Sequence, residues 1–208
     1  QQKKQRTIMK KNLSKIMLIA FAGIAMLGMT SCNADEPENE LTPAEAQAAY
    51  ESVKGEYTGY VFFNKRKNNS HELEKDSLPV SVSLNSGTML TIKNLPTKAI
   101  AGILENGNLK KAIEEAGAID LKCNIGFMRK DPVTMLVNPL PATFKINYNG
   151  KEQEIKTLFL INSKSSAAQA VGKDKLAMQI IQMAGMYLGE RRVAIETGNT
   201  PLLFKLKR

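Results

Sequence analysis

The chain has 208 residues, 43% apolar and 24% charged, with one His, two Cys and no Trp. Such length and composition suit one folded domain and exclude a wholly disordered or collagen-like chain. The net charge of +9 overstates its nucleic-acid character, because six of the 29 bases precede Cys32 with no acid among them, leaving 23 bases against 20 acids.

Met9-Lys10-Lys11 reads as the translation start, with residues 1–8 upstream of it. Lys10, Lys11 and Lys15 precede an apolar run from Ile16 to Leu27 and then Gly28-Met29-Thr30-Ser31-Cys32. This is the order of a secretory signal, expected over residues 1–31. A membrane-spanning helix fits less well, since the 14 residues from Ile16 to Met29 reach about 21 Å and a bilayer core needs ~30 Å. Met29-Thr30-Ser31-Cys32 resembles the lipobox of bacterial lipoproteins, with Met29 in place of the usual aliphatic residue. The resemblance implies cleavage after Ser31 and acyl chains on Cys32, and two or more such chains anchor a protein stably. The competing reading of Cys32 is a disulfide, for which Cys123 is the one available mate.

Asn33 to Glu40 holds four acids in eight residues, so residues 32–41 form a solvated tether. An acidic stretch directly after the lipidated Cys is similar to the surface-export signal of Bacteroidetes lipoproteins; a plain spacer is the alternative. The expected address is the outer membrane, lipid-anchored and surface-exposed.

Residues 42–208 read as a single mainly β domain (β-rich α+β), an antiparallel barrel or sandwich with a few short helices. Thr42-Pro43-Ala44-Glu45 is a capping box, so a helix begins there and leaves at Gly55. Tyr57 to Asn64 is rich in aromatic and β-branched residues. Val80, Val82 and Leu84 alternate with Ser81 and Ser83, and Asn85-Ser86-Gly87 turns the chain into Met89 to Lys93. Short helices are expected over Pro96–Glu105 and, capped by Asn108, over Leu109–Ala116.

Ile119, Leu121, Cys123, Ile125 and Phe127 alternate with Asp120, Lys122, Asn124 and Gly126, a period of two that places the first set on the core. Prolines 132, 139 and 141 punctuate an extended Val133–Val137, and Asn149-Gly150 joins Thr143–Tyr148 to Glu152–Ile161 as a hairpin. Residues 175–188 fit helix by composition and strand by alternation, and flanking glycines and hairpins favour strand. A last hairpin is expected between Val193–Thr197 and Leu202–Leu206.

Gly55-Glu56-Tyr57-Thr58-Gly59-Tyr60-Val61 resembles the opening strand of calycin-like (lipocalin-like) barrels carried by Bacteroides lipoproteins. The order of lipobox, acidic tether, this strand and then hairpins is similar to an uncharacterised surface-lipoprotein family of about this length. Asp76-Ser77-Leu78 resembles the acceptor of Bacteroidetes protein O-glycosylation, which implies Ser77 as its site.

No Gly-x-Ser-x-Gly, His-Glu-x-x-His or dinucleotide fingerprint occurs, and Gly172-Lys173-Asp174 lacks the upstream Gly and the hydroxyl of a phosphate loop. His71, Glu72, Glu74 and Asp76 read as a solvated loop rather than metal ligands, and a single His with two distant Cys makes no zinc set. Glu114/Glu115 and Glu152/Glu154 read as surface charge rather than a glycosidase pair, and mid-strand Cys123 as core filler. The basic runs 65–67, 191–192 and 205–208 read as solvated faces. Tyr57, Tyr60, Phe62 and Phe63 either pack a core or line a sugar-binding interior.

No catalytic residue, cofactor, metal or nucleic-acid partner is expected. The function expected is a non-catalytic binding module for a small molecule, glycan or envelope partner, held to the membrane through Cys32. A purely structural envelope protein is the alternative, and a carboxylate-dependent hydrolase a third. A filled barrel interior would favour the structural alternative.

Overall fold

The computed structural model describes residues 41–66, 72–102, 104–105, 107–161, 166–181, 185–193 and 201–208. All belong to the compact unit Glu40–Arg208. In chain order the elements are α1 (Pro43–Val53), β1 (Gly55–Arg66), β2 (Leu73–Leu84), β3 (Met89–Pro96), α2 (Thr97–Ala101), α3 (Asn108–Glu115) and β4 (Ala118–Lys130). They continue with β5 (Val133–Pro139), β6 (Ala142–Tyr148), β7 (Lys151–Leu158), β8 (Ala167–Val171), β9 (Lys175–Ile181), β10 (Gly185–Leu188), β11 (Arg191–Arg192) and β12 (Pro201–Lys207).

Eight strands close a barrel in the order β1-β12-β9-β8-β5-β4-β3-β2, every pair antiparallel. The order is a chain-order meander interrupted twice. One hairpin, β6–β7, is inserted between β5 and β8; the other, β10–β11, between β9 and β12. The two insertions meet through β7 and β10, where Gly185 pairs Leu158 and Leu188 pairs Ile155. Together they make a separate four-stranded sheet, β11-β10-β7-β6.

Alternation along each strand decides what lies inside, because successive side chains leave opposite faces. Tyr57, Val61 and Phe63 of β1, Val82 and Leu84 of β2, and Leu90 and Ile92 of β3 are all buried. So are Leu121 and Cys123 of β4, Met135 and Val137 of β5, Leu176, Met178 and Ile180 of β9, and Leu202, Phe204 and Leu206 of β12. Burying each such large apolar side chain is worth roughly 1.5–3 kcal/mol, so this filled interior is the main source of stability.

One end of the barrel is formed by the start of β1, the end of β12 and the β4–β5 and β8–β9 turns, as the pairs Gly55–Leu84, Lys130–Val133, Val171–Lys175 and Lys207–Lys175 show. There α1 packs on β4. Its capping box is complete: Glu45 N–H donates to Thr42 Oγ1 at 3.3 Å and Thr42 N–H to Glu45 Oε2 at 3.1 Å. At the other end α2 packs on β1, β3 and β4, and α3 on α2 and β6. Thr97 ties α2 to the start of β4, since its N–H and hydroxyl both donate to Gly117 O, at 3.0 and 3.1 Å.

Several expectations change in detail. The helix expected over Pro96–Glu105 is confined to Thr97–Ala101, and the second helix begins at Asn108 itself, with Gly107 as N-cap and no side-chain cap. β7 stops at Leu158, short of Ile161. The ambiguous 175–188 stretch is β9 and β10. The expected hairpin of Val193–Thr197 with Leu202–Leu206 does not describe β12, which has β9 on one side and β1 on the other. A barrel strand with both edges paired has no place for a third partner. Val193 N–H instead donates to Met186 O on β10 at 2.8 Å, and residues 194–200, with the expected Gly198-Asn199 turn, lie outside the described residues.

Gly59 marks the tightest seam. A Cβ there would stand 2.0 Å from the Lys205 carbonyl oxygen of β12, so only hydrogen lets the two backbones approach. Gly59→Ala is expected to lose about 1–3 kcal/mol in urea unfolding. Gly126→Ala in β4, whose Cβ would meet nothing within 4 Å, is expected to stay within about 0.5 kcal/mol of the parent.

Candidate functional site

Gly55 to Gly59 builds one wall of the end closed by α1. Gly55 takes φ +139° at the exit from the helix, a value side chains rarely adopt. Two residues on, Tyr57 points inward, and its hydroxyl donates to Val53 O at 2.6 Å. Burial pushes the Tyr57 phenol pKa up, opposed by the charge of Arg208. The Arg208 guanidinium lies 5.7 Å from the Tyr57 ring centroid, within cation–π range. It also donates to Lys54 O at 2.9 Å, to Ser52 O at 3.4 Å and to Lys173 O. One side chain therefore joins the end of β12, the last turn of α1, the ring of β1 and the β8–β9 turn.

Beside this junction a cleft of about 480 Å³ opens between the end of α1 and the two turns. Its apolar wall is Val53, Tyr57, Pro132, Val133 and Ala170; its charged rim is Lys130, Lys173, Lys175, Arg208 and the single acid Asp131. Lys130 Nζ is 2.7 Å from Glu45 Oε1, which clamps α1 to the end of β4. The bond from Lys130, with those from Thr42, holds the Glu45 carboxyl at a pKa of about 2. A second, smaller hollow of about 220 Å³ lies between α3 and the β6–β7 turn, beside Tyr148 and Asn149.

The residues singled out from sequence scatter. Cys32, Ser31 and His71 lie outside the described residues. Ser77 is exposed on β2, its N–H bonded to Asp76 Oδ1 at 2.8 Å. Glu74 and Asp76 both face Lys65, at 3.4 and 2.9 Å, and Asp76 also faces Lys98 at 3.7 Å. Against the upward push of its burial, these cations and the Ser77 N–H bring the Asp76 pKa down. Among the described residues no three His, Cys, Asp or Glu side chains are placed to hold a metal ion.

Glu114 and Glu115 pair with Lys110 and Lys111 along α3, and Glu152 with Lys145 across β6–β7. Glu56 accepts from Ser83 Oγ at 2.6 Å and Asn85 Nδ2 at 2.7 Å and faces Lys93, which lowers its pKa, the Ser83 bond foremost. Burial raises the Cys123 thiol far above its ordinary pKa, so it packs as a small hydrophobe. The four aromatics divide: Tyr57 and Phe63 are core, whereas Tyr60 is 54% exposed on the outer wall and the Lys205 ammonium lies over the Phe62 ring at 5.3 Å.

Arg208, expected in a solvated basic run, is instead bonded to three backbone carbonyls and set against the Tyr57 ring, and Lys130 and Lys175 were not singled out from sequence. Positions 202, 204 and 206 are apolar and point inward, so Arg208 continues that parity. A base on the core side of a strand's end was the available signal.

Tyr57→Phe is expected to lower stability by about 1 kcal/mol, the worth of one buried hydrogen bond. Arg208→Ala is expected to lose about 1–2 kcal/mol, since it removes three bonds and the ring contact; both appear as a shifted urea midpoint at unchanged slope. The Glu45 carboxyl has a folded pKa of about 2 against an ordinary 4.5, so its contribution is complete above the ordinary value and is lost as pH falls toward the folded one. In Lys130→Ala the Glu45 resonance, followed by NMR, is expected to titrate closer to the ordinary value.

No curated protein and no solved structure matches the chain. One family model does match, over residues 52–188, from the last turn of α1 to the end of β10, and so leaves out the closing strand β12. On that match the chain belongs to the family described as a domain of unknown function (DUF4840).

Proposed function

We propose that this chain is an envelope lipoprotein, anchored to the outer membrane by acyl chains on Cys32 and exposed at the cell surface, whose barrel is a non-catalytic binding module of calycin-like type. The anchor is supported by the basic stretch, the apolar run, Met29-Thr30-Ser31-Cys32 and the acidic residues behind it. The calycin-like reading is supported by the position of Gly55 to Gly59, which opens a closed eight-stranded meander.

The observation that carries the non-enclosing part is the filled interior. The inward positions hold Tyr57, Phe63, Met135, Met178 and Phe204, all buried, so partners meet the outside of the barrel or the cleft beside α1. By the expectation drawn from the sequence, the same observation favours the alternative of a structural envelope protein, and the cleft beside α1 is what supports the binding module. A hydrolase would need a general acid with a raised pKa, whereas the pKa values of Glu45, Glu51, Glu56 and Asp76 all move down. No described helix is long and apolar enough to cross a membrane.

The anchor is tested by growing cells with an alkyne-tagged palmitate. The expected outcome is label on the parent protein, none on Cys32→Ala, and release of that variant from the membrane fraction. A parent without label, or a Cys32→Ala protein that stays equally membrane-bound, overturns the proposal.

A further inference from the structure

We propose that the cleft between the end of α1 and the β4–β5 and β8–β9 turns binds a free anionic amphiphile, a small molecule with an apolar body and one acidic head group. The inference deepens the reading of a non-catalytic binding module and is independent of the anchor at Cys32.

Size comes first. At about 480 Å³ the cleft lies within the range of small-molecule sites, roughly 300–1,000 Å³. Its wall is the second observation. Pro132 and Ala170 present apolar surface there, backed by the buried Val53, Tyr57 and Val133 from three separate elements. Water gains little from such a wall, whereas a hydrocarbon chain or ring would cover it.

Charge supplies the head-group preference. Of the four cations on the rim, Lys130 is already neutralised by Glu45. Among the described residues the Arg208 guanidinium bonds to backbone carbonyls and pairs with no side-chain carboxylate. Part of its charge offsets the negative end of α1, equivalent to about half an elementary charge. Lys173 and Lys175 are exposed and make no ion pair among the described residues; their neighbour Asp174 faces Lys207 instead, at 3.6 Å. Asp131 is the one opposing side chain on the rim. A concave apolar wall concentrates the field of the remaining cations, and that field favours an anion.

Rigidity completes the case. Arg208 is tied to α1 and to the β8–β9 turn, so the wall and the rim are held together before any ligand arrives. Gly172, at φ +68°, sets the turn that carries Lys173 and Lys175 to the same side.

The probe is decanoate, compared with decanol and with inorganic phosphate, titrated calorimetrically into the full chain. Decanoate is expected to bind one site, at least about tenfold more tightly than decanol, and phosphate alone to give no measurable heat. The affinity is expected to fall about tenfold in the charge-reversed double variant Lys173→Glu/Lys175→Glu and to persist in Lys173→Arg/Lys175→Arg. It is also expected to weaken as salt rises from roughly 50 to 500 mM. Amide shifts on binding should centre on Val133, Ala170 and Gly172. Three results each overturn the inference: no decanoate binding, equal binding of decanol, or unchanged affinity in the Glu variant when its thermal unfolding matches the parent. None of them touches the anchor, which palmitate labelling at Cys32 reads separately.

Discussion

A closed meander exists only if its last strand meets its first; here the ladder from Thr58–Lys207 to Phe62–Leu203 makes that meeting, and Arg208 fastens its end to the neighbouring elements. Its guanidinium lies against Tyr57 of β1 while bonding carbonyls of α1 and of the β8–β9 turn. Tyr57 in turn bonds Val53 O, so the helix is fixed to the strand that follows it. The remaining geometry of this end follows from that junction. α1 is held across β4, the two turns stand beside its last residues, and the space left between them is the cleft.

The forces are unequal. Apolar side chains that fill the barrel supply most of the free energy, at roughly 1.5–3 kcal/mol each. Surface ion pairs such as Lys145–Glu152 and Lys111–Glu115 contribute little by comparison, because water screens both partners. The Arg208 junction adds a few bonds of about 1 kcal/mol each. Its importance is geometric, since it decides which surfaces face the cleft rather than whether a barrel forms. The two inserted hairpins show the same division. They leave the meander at the opposite end and satisfy their inner edges on each other, through β7 and β10, so the barrel needs none of their hydrogen bonds.

Local signals proved readable and long-range ones did not. Thr42 with Glu45 announced a helix start, and both capping bonds are present. Ile119 to Phe127 alternated, and Leu121 and Cys123 are buried as that period requires. Asn149-Gly150 adopts positive φ at both residues, 54° and 74°, as a two-residue hairpin turn demands. A period of two states which side of a strand is buried but says nothing about its neighbours. For that reason the local pattern pairs Leu202–Leu206 with the nearest preceding strand signal, whereas its partners begin at Thr58 and at Lys175. The cleft was invisible for the same cause. Val53, Pro132, Gly172 and Arg208 are far apart in the chain, and no local pattern announces that they meet.

The position of β12 in the chain has a consequence for how the molecule is made. Its partner across the seam, β1, begins at Gly55, near the other end of the domain, and Thr58 waits for Lys207 before that edge is paired. Until the last residues are available, the remaining barrel strands form an open curved sheet with the edges of β1 and β9 bare and its apolar concave side uncovered. Bare edges of this kind recruit other strands. The loop closure that ends this exposure, Thr58 to Lys207, is among the longest the topology allows, and its entropic cost falls on one event.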